Sequence, residues 1–445
     1  MIFIRKGESM TKVIRYENGM KLIYERDKEI EGVAIDFYFR AGSLNDPKGK
    51  QGLAHLTEHC LCALSNKIYD RQFLTDTLTQ KYYYKNARTN NFLLSFNTIC
   101  NKSQFEECVE EMTASFTGFV KTEEFEEEKK IVLQEVATRL GNKNANQSCW
   151  LSVSNIRVEP EYRNLLQENT IGSKESVKKL TFQDVCKFVD DYFGLNNLVV
   201  SIVGNISLKE VKKCVEKYVF TRIKEVSKIG FNYNDAQKIK QGLDLRERPW
   251  EKQKALIEVL WPYDNSLQFI SRKESFMRGV INNVLASMVF KKFRTDNSSC
   301  YSVNFFLTKF LKEKRVEFVV ECGHENVLLN FKILLEFLKE LKEKGLDREV
   351  FEKIKERNCA CINIDRQTLT RRKDGLYNQL SVFNEVKPKK ESKKISLKFY
   401  KEIPFEEYNE FLRKALKGRP NLILLTTGDQ SRKIHKNKLD EILKK

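Results

Sequence analysis

The chain of 445 residues is predicted to be an α+β protein built from two similar α/β-sandwich units, each a sheet backed by helices. Three observations predict this. Short runs of alternating apolar and polar residues recur between amphipathic helical patterns. A charged stretch without apolar periodicity, residues 223–250, separates the two halves and is read as a linker between domains at 1–222 and 251–445. Finally, "NLVVSIVGN" (197–205) is echoed by "NLILLTTGD" (421–429), one near the end of each half.

The first half opens with sheet. In "KVIRYENGMKLIYE" (12–25), Asn18 and Gly19 stand between two alternating runs, the signal for a hairpin with a two-residue primed turn. In "GVAIDFYFRAGS", Val33, Ile35, Phe37 and Phe39 alternate with Ala34, Asp36, Tyr38 and Arg40, as in a half-buried strand. "NNFLLSFNTI" reads as another strand, followed by helices over about 103–119 and 122–140, the second with Thr122 as N-cap and Gly141 as stop. The helical "TFQDVCKFVDDYFG", the buried strand "NLVVSIVGN" and the helical "SLKEVKKCVEKYV" complete the unit. The second half repeats the order. "KALIEVLWPY" reads as strand, "ESFMRGVINNVLASMVFKKFR" as helix, "YSVNFFLTKF" and "RVEFVVECG" as strands, and "NVLLNFKILLEFLKELKEKG" as helix before the final strand.

Composition narrows the function classes. Apolar residues make up 41% of the chain and there are 30 phenylalanines, enough for a substantial core. The opening "MIFIRKGESMTK" lacks the apolar run of a signal peptide, and no stretch of about 18 apolar residues could span a bilayer. Eleven cysteines lie at no framework spacing, which suits a reducing cytoplasm. The net charge of +18 favours an anionic partner such as an acidic peptide. Neither zinc-finger spacing nor an aromatic RNA-binding signature accompanies it, so nucleic acid is not the expected partner.

The chemistry concentrates in "GLAHLTEHCLCALS" (52–65). On a helix His55 and His59 are four residues apart and project from one face, with Glu58 at its edge, while Leu53, Leu56, Cys60, Ala63 and Leu64 form the core-facing stripe. The order H-x-x-E-H is the inverted zinc-peptidase motif. Catalytic zinc takes three protein ligands and leaves a position open, so a third ligand must come from elsewhere. In "TEEFEEEKKIVLQEVATRLG", Glu128 and Glu135 are two helical turns apart on nearly one face, with Ile131, Val132 and Val136 as apolar neighbours.

These features resemble the pitrilysin/insulysin family of zinc metallopeptidases, including its two-domain bacterial members and mitochondrial processing peptidase. The resemblance covers most of the chain: "AGSLNDPKGKQGLAHLTEH", the helix "EEEKKIVLQEV" with 75 residues between His59 and Glu135, and the first-domain ending "IGSKESVKKLTFQDVCKFVDDYFGLNNLVVSIVGNI". It implies His55, His59 and Glu135 as ligands of one Zn2+ per chain, Glu58 as general base and Glu128 as a supporting carboxylate behind the ligands. It also implies Asn86 and Ala87, in "NARTNNFLLSF", as backbone contacts for a substrate held as an added strand, and Arg294 and Tyr301, in "FRTDNSSCYSV", as residues that meet substrate at the metal. The chain departs from the family at Leu56 and Thr57 within the motif, and in "CLCALSNKIYD", where a Gly-Thr usually follows the helix.

The implied reaction is endopeptidase hydrolysis of unfolded or leader-type peptides, with Glu58 moving the proton and Tyr301 and Arg294 stabilising the oxyanion or fixing the substrate backbone. Two-domain relatives enclose a chamber as dimers. A homodimer is expected here because zinc motif and Arg/Tyr pair sit on one chain, with a heterodimer as alternative. The other function class is a non-catalytic or partner-dependent subunit.

Overall fold

The computed structural model describes residues 10–28, 30–76, 81–120, 123–141, 170–230, 242–247, 254–264, 270–310, 313–363, 375–379, 386, 389–417 and 422–427. The chain divides into two compact units, the first formed by residues 1–148, 160–232 and 366–391 and the second by 149–159, 233–365 and 392–445.

The first unit is a six-stranded sheet of β1 (Met10–Arg15), β2 (Lys21–Arg26), β3 (Gly32–Phe39), β4 (Tyr84–Thr89), β5 (Leu94–Asn101) and β6 (Leu198–Gly204). Their spatial order is β1-β2-β6-β3-β5-β4, which leaves β4 at an edge. Four helices cover one face: α1 (Leu53–Ala63), α3 (Phe105–Ala114), α4 (Glu123–Gly141) and α5 (Phe182–Tyr192), while the short α2 (Arg71–Asp76) follows α1. The core between helices and sheet joins Val33, Ile35, Phe37 and Phe39 of β3 to Leu53, Leu56 and Cys60 of α1, Val132 and Val136 of α4 and Phe188 of α5.

The expected hairpin forms, but its turn is not the two-residue primed kind. Tyr16 N–H donates to Met20 C=O and Gly19 N–H to Tyr16 C=O, each at 3.0 Å, and only Gly19 (φ +83°) takes the left-handed conformation. A primed turn of type I′ needs positive φ at both central residues. Asn18 instead accepts the Met20 N–H through its side chain at 3.1 Å, which favours a longer loop with glycine alone in the strained position. Strand β3 differs from expectation as well: Ala34, Asp36 and Tyr38, on the face read as solvent-exposed, are buried. Leu376 and Tyr377, from the second half of the sequence, pack on that face with Ile23, Val199 and Val203, and the Tyr38 and Tyr377 rings stack at 3.9 Å. The coverage comes from residues more than 300 positions away, which strand periodicity cannot report.

The second unit has a five-stranded sheet ordered β7-β11-β8-β10-β9, formed by β7 (Gly242–Glu247), β8 (Lys254–Asp264), β9 (Ser302–Phe310), β10 (Glu313–Gly323) and β11 (Leu422–Thr427). Strand β7 lies inside the stretch read as linker and pairs in parallel with β11. Its helices include α6 (Arg272–Val289), α7 (Val327–Lys344), α8 (Arg348–Asn363) and α9 (Phe405–Ala415), with a core around Val284, Phe293, Phe318, Phe331 and Leu412.

The two sheets share one topology. The sequence β2-β6-β3-β5-β4 corresponds to β7-β11-β8-β10-β9, with the first pair parallel and every following pair antiparallel in both. The echoing segments "NLVVSIVGN" and "NLILLTTGD" supply the corresponding strands β6 and β11. One α+β arrangement is thus present twice.

Candidate active site

Helix α1 follows a loop that fixes its start. Asp46 accepts the N–H groups of Gly52 and Ala54 at 2.8 Å each, capping donors that have no partner within the helix. Gly52 has φ +91°, and a Cβ there would meet the Ile171 carbonyl oxygen at 2.6 Å, so only glycine fits the approach. Leu53, Leu56, Cys60 and Leu64 are buried as their spacing predicts, Ala63 is partly buried, and Leu61 joins them.

With this face in the core, His55 and His59 turn toward α4. The rings lie edge to face with centroids 4.7 Å apart. Glu135 Oε2 is 3.5 Å from His55 Nε2 and 3.4 Å from His59 Nε2. A tetrahedral zinc with bonds of about 2.0–2.1 Å separates its ligand atoms by roughly 3.3 Å, so the two imidazoles and the carboxylate fit that ion in type and spacing. They are the only such group of three found among the described residues.

Glu128 completes the arrangement from behind. Its Oε1 lies 3.0 Å from His59 Nδ1, a contact that places the ring proton on Nδ1 and leaves Nε2 facing Glu135. Burial opposes the charged imidazole, but the hydrogen bond to Glu128 and the charges of Glu58, Glu128 and Glu135 outweigh it and raise the His59 pKa. The same helix presents Ile131 to solvent rather than to the core, 45% exposed beside the two carboxylates.

Glu58, at the edge of the histidine face, accepts a hydrogen bond from the Thr89 hydroxyl at the end of β4. Thr89 is held in turn because Ser43 and Leu44 donate backbone N–H groups to the carbonyls of Asn90 and Asn91, each at 3.0 Å. Asn86 and Ala87 lie on this edge strand, which packs beside α1. The Ala87 N–H is taken by the neighbouring Asn86 Oδ1 at 2.9 Å. The cysteines near the motif offer no rival nucleophile: burial pushes Cys62 up to about 12 and Cys60 well above its ordinary value, so both are neutral thiols.

Arg294 and Tyr301 belong to the second unit. The Arg294 guanidinium lies 5.2 Å from the Phe290 ring centroid and 5.9 Å from that of Tyr301, which is 71% exposed. Their loop is internally tied. Ser299 Oγ donates to Phe293 C=O or Asn330 Oδ1, at 2.9 and 2.8 Å, and Tyr301 N–H donates to Glu321 C=O at 2.9 Å.

Four contributors escaped the sequence reading: Asp46, Thr89, Arg71 and Glu124. Asp46 carried a readable signal, an acid shortly before a helix start. Ser65 lies in the segment that follows the motif helix. Ser65 N–H and Oγ both donate to the Glu124 carboxylate, at 2.6 and 2.7 Å, joining the end of α1 to the start of α4.

The comparisons with known proteins point to a peptidase family. Residues 21–169 match the family model described as Insulinase (Peptidase family M16), and residues 179–358 match Peptidase M16 inactive domain. His55, Glu58, His59, Glu128 and Glu135 lie in the first match, Arg294 and Tyr301 in the second. The zinc protease PqqE of Helicobacter pylori is 22% identical over 219 residues, an alignment covering 48% of this chain and 47% of that relative, about half of each. A protease from Helicobacter pylori of known crystal structure has a TM-score of 0.74 at 16% identity, covering 94% of this chain and 99% of its own. The first half of the periplasmic protease PqqL from Escherichia coli scores 0.72 at 13% identity, covering 94% and 92%. With two family models tiling most of its length, two M16-type units in its fold and the inverted motif on α1, the chain belongs to the pitrilysin/insulinase family of peptidases, family M16.

Proposed function

We propose that the protein is a zinc-dependent endopeptidase that cleaves unfolded or leader-type peptides, with His55, His59 and Glu135 as the ligands of one Zn2+. The observation that carries this reading is the convergence of those three ligand groups, with Glu58 on the same helix. Bound zinc would polarise the scissile carbonyl and lower the pKa of a coordinated water toward neutrality. Glu58 takes the proton of the attacking water and returns it to the leaving amine, with Thr89 orienting its carboxylate. Asn86 and Ala87 offer the open edge of β4 to a substrate strand. Arg294 and Tyr301 act on the substrate backbone or the developing oxyanion of a second subunit's site in a homodimer. The excess of basic residues suits acidic peptides. The nine cysteines whose side chains are described are free thiols, in keeping with a reducing, cytoplasmic setting. Among the described residues no helix is long and apolar enough to cross a membrane.

The test compares wild type with Glu58→Gln for zinc per chain and for cleavage of an unfolded peptide pool, with and without chelator. Zinc near one per chain and chelator-sensitive cleavage lost in Glu58→Gln support the peptidase. Zinc without cleavage favours the second reading, a partner-dependent subunit, for which the inactive-domain match of residues 179–358 speaks. Absence of both sinks the metal site.

A further inference from the structure

We infer that Arg71 is a positioning residue for the metal centre, acting through Glu128 on His59; the inference rests on the metal-site reading above. Arg71 opens α2, just beyond the loop in which this chain departs from the family pattern. Its Nη2 donates to Glu128 Oε2 at 3.2 Å, while the other oxygen of the same carboxylate, Oε1, faces His59 Nδ1 at 3.0 Å. Glu128 is therefore a bridge with one oxygen committed to each partner. Its side chain is 6% exposed, so no solvent shell competes to set its orientation.

The arginine is itself fixed at several points. Nη1 reaches Glu127 Oε2 and the Glu124 carbonyl, both at 3.3 Å, and its backbone N–H donates to Ser65 Oγ at 3.0 Å. Ser65 is in turn held by the Glu124 carboxylate. A planar guanidinium held this way presents its fork in one direction, which a flexible ammonium does not. The consequence reaches the ligand. With Oε2 anchored, Oε1 stays turned toward His59, the ring keeps its proton on Nδ1, and Nε2 stays aimed at Glu135 and the metal position. Partners of this kind behind metal ligands commonly change affinity by about 10–100-fold when removed.

A bland alternative exists: Arg71 only clamps the loop between α1 and α4. The two differ in coupling. Zinc affinity is measured on the full chain by competition with a chelator for wild type, Arg71→Met, Glu128→Gln and the double variant, with thermal unfolding in parallel and the visible spectrum of the cobalt(II)-loaded protein as a report on ligand geometry. Arg71→Met is expected to weaken zinc about tenfold and to shift the cobalt bands in the same sense as Glu128→Gln. In the Glu128→Gln background the same change should have no further effect on zinc. Arg71→Lys, which keeps charge without the fork, should recover part of the affinity. Unchanged zinc affinity in Arg71→Met, or effects that simply add in the double variant, would overturn the inference while leaving the metal centre intact. A wild type that binds no zinc overturns the metal reading itself and this inference with it. Should Arg71→Met fail to fold, Arg71→Lys with and without Glu128→Gln carries the same test, additivity again being the adverse result.

Discussion

Strands β4 and β9 occupy the same place in their two sheets, each at the edge and each beside the helix that follows the central strand. They are treated oppositely. On β9 the N–H and C=O of Leu307 are both engaged by the Asn282 side chain of α6, at 2.7 and 2.9 Å, so a helix side chain stands in for a further strand. On β4 the Ala87 N–H meets the neighbouring Asn86 side chain, and the α1 side-chain contact is at the end of the strand, where Thr89 meets Glu58. An exposed edge is ordinarily a hazard that proteins cover. Here one copy engages its edge from the helix with an amide, while in the other the helix contact falls at the strand's end, beside the proposed base. The two sheets are matching frames, and side chains on the helix beside each edge make the difference between them.

Three substitutions sharpen that comparison. The largest effect is expected for Thr89→Val, which keeps shape and removes the hydroxyl. A hydrogen bond to a charged group is worth about 1.5–3 kcal/mol, so kcat on an unfolded peptide should fall about tenfold or more with zinc content unchanged. Equal kcat in Thr89→Val and wild type would break the link between this edge and Glu58. Next comes Asn282→Ala, which strips the cover from β9 and leaves two backbone groups to find other partners. It should lower stability by about 1–3 kcal/mol in urea unfolding and leave the zinc affinity of the first unit as it was. A change in zinc affinity there would show that the two frames are not independent.

The smallest effect concerns the loop before α1, where Lys50 pairs with Asp184 of α5. Burial works against the Asp184 carboxylate, but the Lys50 hydrogen bond and charge, together with Thr181, hold its pKa below the ordinary 3.8. A depressed acid contributes stability above its unfolded pKa and loses it as pH falls through the folded value. Lys50→Met should therefore cost at most about 1 kcal/mol at neutral pH, since Lys50 is 41% exposed. The difference from wild type should fade only below pH 3.8. A difference that vanished near pH 6 would point to another group.

Much of the site was legible because its parts are local. Two histidines four apart and a glutamate between them share a helix face wherever that helix is placed, and Glu128 and Glu135 share another face for the same reason. What escaped reading are contacts between elements. Thr89 and Glu58 are 31 positions apart, and Arg71 and Glu128 are 57 apart; neither pair has any periodicity to betray it. Strand β3 was misjudged on one face for the same reason, because Leu376 and Tyr377 come from the other half of the chain.

The sequence by itself determined the α+β class, the repeated unit, the helix that carries His55, Glu58 and His59, and the carboxylates able to complete a metal site. Hydrophobic period and motif spacing are local quantities, and they are written along the chain. Only the tertiary structure decided that Glu135 meets both Nε2 atoms, that Glu128 stands behind His59 with Arg71 behind it, and that an α6 amide engages the β9 edge while α1 meets β4 only at its end. Those outcomes depend on how separate helices and strands pack against one another, and packing brings together residues whose separation in sequence carries no signal of their contact.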